Sequence, residues 1–187
     1  MHAKFFVNSC LFLLSWSASV LGQEWNASTI LSGGDLVPGA EAIAIDKAGG
    51  IHCAYAERVT VAGFDAFQIG YALRPRPNAD WEIAAVKTLV TDADFLRLSL
   101  AVDREGEPYL AYLWHNNAGV LDEKTVSLIQ RNADGVWMQE TEVDLAASVE
   151  PEAGLDLKYH HGSDSMALAY TGANGILRLA TRLQAGT

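Results

Sequence analysis

The chain has 187 residues, half of them hydrophobic and 19% charged, with a formal net charge of −10. That length suits one domain or part of one, and the hydrophobic fraction excludes a disordered chain. The acidic balance argues against a nucleic-acid binder, which needs a basic face to displace counterions from phosphates, and against docking on anionic lipid headgroups.

In chain order, the first segment reads as an address. Met1-His2-Ala3-Lys4 gives a short positive start, and an apolar stretch runs from Phe5 to Leu21. Val20-Leu21-Gly22 places small residues where a signal peptidase needs them, so residues 1–22 are expected to be a signal peptide and the mature chain to start at Gln23. A retained anchor is the alternative. The stretch is short for a span and is broken by Asn8 and Ser9. The expected location is secreted or periplasmic, with no membrane contact after cleavage. Only Cys53 then remains, so no intrachain disulfide forms, and its apolar setting reads as a small buried hydrophobe.

From residue 25 the chain is a repeat. Trp25, Trp81 and Trp137 recur every 56 residues, each opening a strand-like segment. A second segment follows each time: Ile43-Ala44-Ile45-Asp46, Leu100-Ala101-Val102-Asp103 and Leu155-Asp156-Leu157-Lys158. A third ends in Ala-Tyr, at Ala54-Tyr55, Ala111-Tyr112 and Ala169-Tyr170; a fourth ends in an arginine, at Arg74, Arg131 and Arg182. The segments are short, rich in β-branched and aromatic residues, and bounded by turn chemistry, which predicts strands. Asp46-Lys47-Ala48-Gly49 and Asp103-Arg104-Glu105-Gly106 put Asp first and Gly fourth, the pattern of a tight turn. Asp46 and Asp103 are therefore expected to form turns, not to act as catalytic acids.

Three copies of a four-segment antiparallel unit, at about 25–80, 81–136 and 137–187, describe propeller blades. The expected fold is all-β, a β-propeller region of three four-stranded blades over residues 23–187. Residues 25–182 resemble the bacterial secreted β-propellers loosely grouped as sialidase-like or BNR-type repeat proteins. Leu98-Ser99-Leu100-Ala101-Val102-Asp103-Arg104-Glu105-Gly106-Glu107-Pro108-Tyr109 carries the likeness best. The third unit departs from it, with Asp156 and Lys158 in place of the Ala and Asp, and His160-His161-Gly162-Ser163-Asp164-Ser165 lengthening the turn. Closed propellers take about four to eight blades, so three imply either a fragment, the preferred reading, or a half whose second copy completes a ring.

With the strands ordered inner, second, third and Trp-led outer, the long loops gather at one end. They are Ser32–Glu41, Val90–Arg97, Leu145–Gly154, Glu57–Phe67 and Trp114–Thr125. Loops on a rigid scaffold are where function concentrates. The candidate ligand site there is Trp114, His115, Asn116 and Asn117 with Asp92 and Asp94: an aromatic plate beside amides and carboxylates suits a sugar ring. The competing readings are blade packing for Trp114 and solvated surface charge for the acids. His160-His161 with Asp156 and Asp164 invites a metal, but neighbouring strand residues point to opposite faces, and a lengthened polar turn is preferred.

The sialidase-like resemblance implies an arginine trio, a Tyr–Glu nucleophile pair and an acid Asp. Here Arg74, Arg131 and Arg182 close equivalent strands, and Ser99 with Asp103 lacks the spacing of the family's Ser-x-Asp box. No catalytic residue, cofactor or metal is expected. The expected function is a secreted, non-catalytic binding or interaction module whose partner is a glycan, an extracellular protein or a second copy of the chain. The alternatives are a piece of a glycoside-processing propeller enzyme and a purely structural propeller.

Overall fold

The computed structural model describes residues 29–30, 34–90, 93–116, 123–138, 141–145, 154–171 and 176–183. Residues 31–187 form one unit. Its eleven described strands are β1 (Asp35–Ile45), β2 (Ile51–Val61), β3 (Phe64–Arg74), β4 (Glu82–Val90), β5 (Ala93–Val102), β6 (Pro108–Asn116), β7 (Glu123–Gln130), β8 (Thr141–Leu145), β9 (Leu155–His160), β10 (Ser165–Thr171) and β11 (Leu177–Leu183). They make three antiparallel meander sheets, β1-β2-β3-β4, β5-β6-β7-β8 and β9-β10-β11. No helix occurs among the described residues, and the chain is all-β as expected. The expected signal segment lies outside the described residues, as does the Trp25-led segment up to Ser28.

The three sheets are stacked by their first strands. Backbones approach most closely where β1 meets β5 and β5 meets β9, and the second strands β2 and β6 touch the next sheet's first strand. The side chains that allow this alternate along each strand. Towards the second sheet, the first sheet presents alanines: Ala42, Ala44, Ala54 and Ala56. Facing them are Leu96, Leu98, Leu100, Leu110 and Tyr112 of the second sheet. The second sheet's other face, with Ala101, Ala111 and Leu113, meets Leu157, Leu168 and Tyr170 of the third. Small side chains facing large ones let the sheets approach and interlock.

The strand register aligns the repeats. Ile43 pairs with Cys53, Leu100 with Leu110 and Leu157 with Leu168, so these three pairs stand at one place in successive sheets. This corrects the alignment of the third repeat by two residues. Asp156 and Lys158 stand where Ser99 and Ala101 stand, not at the places of Ala101 and Asp103. The cause is the altered turn, which removed the Asp that anchored the sequence comparison.

The tight turns form as their residues dictate. The Asp46 Oδ1 carboxylate oxygen accepts from the Ala48 and Gly50 N–H groups at 2.7 and 2.8 Å, and Asp103 Oδ1 accepts from Glu105 and Glu107 at 3.0 and 2.9 Å. Gly49 and Gly106 take positive φ, which Gly adopts without steric cost. Asn132 repeats the device, with Oδ1 accepting from Val136 N–H at 2.8 Å and Gly135 at positive φ. Some expected loops are partly or wholly strand: residues 35–41 belong to β1, residues 93–97 to β5, and residues 57–67 to the β2–β3 hairpin. Residues 57–67 continue β2 and β3 as an eleven-residue hairpin closed by Ala62-Gly63, both at positive φ, the geometry of a two-residue hairpin turn. Alternation along Tyr55–Val61 was the available signal.

The two sheet interfaces are filled unequally. Between the first and second sheets stand Tyr71 and Ile129; the equivalent places between the second and third hold Leu128 and Ala180. An apolar cavity of about 240 Å³ remains there, lined by Leu128, Val143, Leu157, Met166, Leu168 and Ala180 among others. Ala180→Ile, which restores the side chain of Ile129, is expected to raise stability by about 0.5–2 kcal/mol. Ala111→Leu, at a fully buried contact between sheets, should lower it by about 1–3 kcal/mol. Urea unfolding of the two variants measures both signs.

Candidate functional site

The densest chemistry among the described residues lies at the tight-turn end of the first sheet. Oδ2 of Asp46, the turn former, is 3.1 Å from Nε2 of His52, at the start of β2. Nδ1 of His52 is 2.6 Å from the Tyr71 hydroxyl on β3. One proton arrangement satisfies the whole chain: Tyr71 O–H donates to Nδ1, and Nε2–H donates to Asp46. The second sheet closes the group, with the Arg131 guanidinium 5.5 Å from the Tyr71 ring centroid and Trp137 edge-on at 5.3 Å.

The electrostatics fit that arrangement. Burial pushes the Tyr71 phenol far above its ordinary range; Arg131 opposes the shift, while Glu107 and Asp46 reinforce it, so the hydroxyl keeps its proton and donates. Partial burial pulls the Asp46 carboxyl upward, but the His52 bond and two backbone N–H groups outweigh it and hold the group below its ordinary 3.8. The same post recurs in the next repeat with different chemistry. Tyr109 replaces His52 against Asp103, and burial and that carboxylate push its phenol up to about 12 while Arg182 of the third sheet opposes.

An acid–imidazole–hydroxyl chain resembles a nucleophile relay in composition only. Tyr71 and His52 are 1% and 2% exposed, so no substrate reaches either. The group is a polar clasp across two sheets. The sequence treated Asp46 correctly as a turn former but did not single out His52 or Tyr71, whose pairing depends on a register between β2 and β3. Two further links cross sheets. Lys87 Nζ donates to the Tyr112 hydroxyl at 2.9 Å, and Leu157 N–H donates to Ser99 Oγ at 2.8 Å.

The loop-end candidates are only partly in view. Trp114 is half-buried and packs against the core between the first and second sheets. Register sets Ala93 opposite Asn116 and Phe95 opposite His115, so the backbone at Asp94 lies beside that of His115 and Asn116 on paired strands. Asp92 and Asn117 lie outside the described residues, as do the side chains of Asp94, His115 and Asn116.

In the third repeat, His160 Nδ1 is 2.7 Å from Ser163 Oγ, and the His161 ring packs edge-on against Tyr159, whose hydroxyl donates to Asp164. The two histidines are thus engaged separately, and no group of three or more metal-ligating side chains is assembled among the described residues. Cys53 is a free, buried thiol; burial raises it and Arg74 opposes that shift, so it is no poised nucleophile. The arginines do not converge. Arg74 lies over the Trp81 ring at 5.0 Å, Arg131 over Tyr71, and Arg182 near Tyr109, one to each sheet.

Tyr71→Phe removes the donor to a buried His52 and is expected to cost about 1–3 kcal/mol by urea unfolding. Asp46 has a folded pKa below its unfolded one, so its contribution is complete above about 3.8 and is lost as pH falls through the folded value. Asp46→Asn should lower stability at neutral pH and flatten the acid limb of the stability–pH curve.

No protein-family model matches the chain, and no curated protein matches it either.

Proposed function

We propose that the chain is a secreted, non-catalytic binding module, its three sheets serving as β-propeller blades and its loop end binding a glycan. The blade reading draws support from three successive meander sheets stacked through their first strands. The binding reading rests on one observation. Register brings Asp94 to His115 and Asn116 at the loop end of β5 and β6, in the middle sheet, where the neighbouring sheets flank it. Carboxylate, imidazole and amide groups are the residue types that hydrogen-bond sugar hydroxyls, and the backbone register gathers these three at one end of β5 and β6.

The buried clasp and the separated arginines give no support to a glycoside-processing centre. A purely structural propeller is distinguished by ligand response, since a specific ligand raises the melting temperature by mass action. A glycan array followed by thermal shift is expected to find a sugar that raises Tm. Asn116→Ala and Asp94→Ala should each weaken it by about tenfold or more, the loss of one or two hydrogen bonds to the ligand. Absence of any sugar hit would overturn the glycan reading, and unchanged affinity in both variants would overturn the site.

A further inference from the structure

The outward faces of the first and third sheets carry the strand positions that, in the other sheets, form the two internal interfaces. In the first internal interface, alanines of one sheet face large apolar side chains of the next; in the second, Ala101 and Ala111 share their face with Tyr109, Leu113, Val126 and Leu128. On the outward face of the first sheet, Ile43 stands where Leu100 and Leu157 stand, beside Ile45, Cys53 and Tyr55. Leu100 and Leu157 are 6% and 1% exposed; Ile43 and Ile45 are 67%. On the outward face of the third sheet, Ala167, Ala169, Leu177 and Leu179 occupy the places of Tyr109, Ala111, Val126 and Leu128. Leu177 and Leu179 are 75% and 68% exposed, whereas Val126 and Leu128 are 0% and 6%.

Polar groups follow the same logic. Inside the molecule, the hydroxyl of Ser99 accepts the Leu157 N–H across the gap between sheets. Asp156 stands at the place of Ser99 on the open face, and Ile43 at the place of Leu157 on the other, so the acceptor and the N–H are both carried to the ends. Of the charged residues on the two open faces, Lys158 stands at the place of Ala101 on the third sheet and Glu41 at the place of Leu98 on the first. Among the described residues Lys158 pairs with Asp156, an exposed pair of little energetic worth.

We propose that the outward face of the third sheet binds the outward face of the first sheet in a second copy of this chain, and that two copies close on each other through two such contacts. Head-to-tail contacts either close or extend into a filament. Closure at two copies gives six sheets, within the about four to eight of closed propellers. The number two rests on the blade reading; the pairing of the two faces rests on register and exposure alone.

Light scattering of the purified chain is expected to give twice the chain mass. Ile43→Lys and Leu179→Glu, both at exposed positions, should each give the single-chain mass with unchanged far-ultraviolet circular dichroism. Mixing these two variants should restore the doubled mass, because one contact then joins two unaltered faces and the other joins Lys to Glu. Ile45→Lys with Leu177→Glu repeats the test at neighbouring positions. A wild-type chain that stays single, or a mixture that fails to double, overturns the head-to-tail pairing. A ladder of growing masses overturns closure. Sugar binding by a single chain, or doubling without any sugar hit, separates this proposal from the glycan reading.

Discussion

The middle sheet of this chain is apolar on both faces, and that constraint governs how the three sheets stack. A one-faced sheet is satisfied by a single neighbour; a two-faced one must be packed on both sides or leave apolar area in water. The middle sheet meets the requirement within the chain, with Leu98, Leu100 and Leu110 buried on one side and Ala111, Leu113 and Val126 on the other. The outer sheets meet it on one side only. Their outward faces carry Ile43, Ile45, Leu177 and Leu179 largely exposed, the observation on which the proposed pairing of two copies rests.

The polarity of small face against large face sets the direction of stacking. Ala54 and Ala56 bring β2 close to the next sheet's first strand, and Leu100 and Tyr112 fill the space that their small size opens. The two interfaces then diverge in how they treat the space nearer the outer strands. The first fills it with the Asp46–His52–Tyr71 clasp, closed by Arg131 and Trp137. The second has Leu128 and Ala180 there and keeps a cavity. A buried polar chain is stabilising only where its members are paired; Asp46, His52 and Tyr71 are, while the Trp137 indole N–H beside them is buried without a partner. Its cost shows in the rigidity it imposes: His52 and Tyr71 cannot move without orphaning each other.

That division bears on function. His52 and Tyr71 at the turn end are sealed by burial and serve cohesion between sheets, and the recognition proposed above is assigned to the loop end, where Asp94, His115 and Asn116 share two paired strands. Trp114 shows why aromatic residues are ambiguous in sequence. The alternation that places it on β6 also turns it toward the first sheet, where it packs half-buried, and no local pattern distinguishes a packing indole from a sugar platform.

The all-β class, the strand order and the Asp-x-x-Gly turns were all legible from the sequence, because each depends on local chemistry: alternation, side-chain acceptors for turn N–H groups, and a glycine at positive φ. The 56-residue Trp period likewise marked the repeat before any coordinates. Register between strands was not legible wherever a turn changed length, which is why Asp156 and Lys158 were placed two residues off and why residues 57–67 read as a loop. The His52–Tyr71 bond joins residues 19 apart in the chain, and the cavity beside Ala180 depends on which residues of different sheets oppose each other. Tertiary structure alone decided those features, since pairing across strands and sheets is fixed by the sum of packing over whole faces and not by any short stretch of sequence.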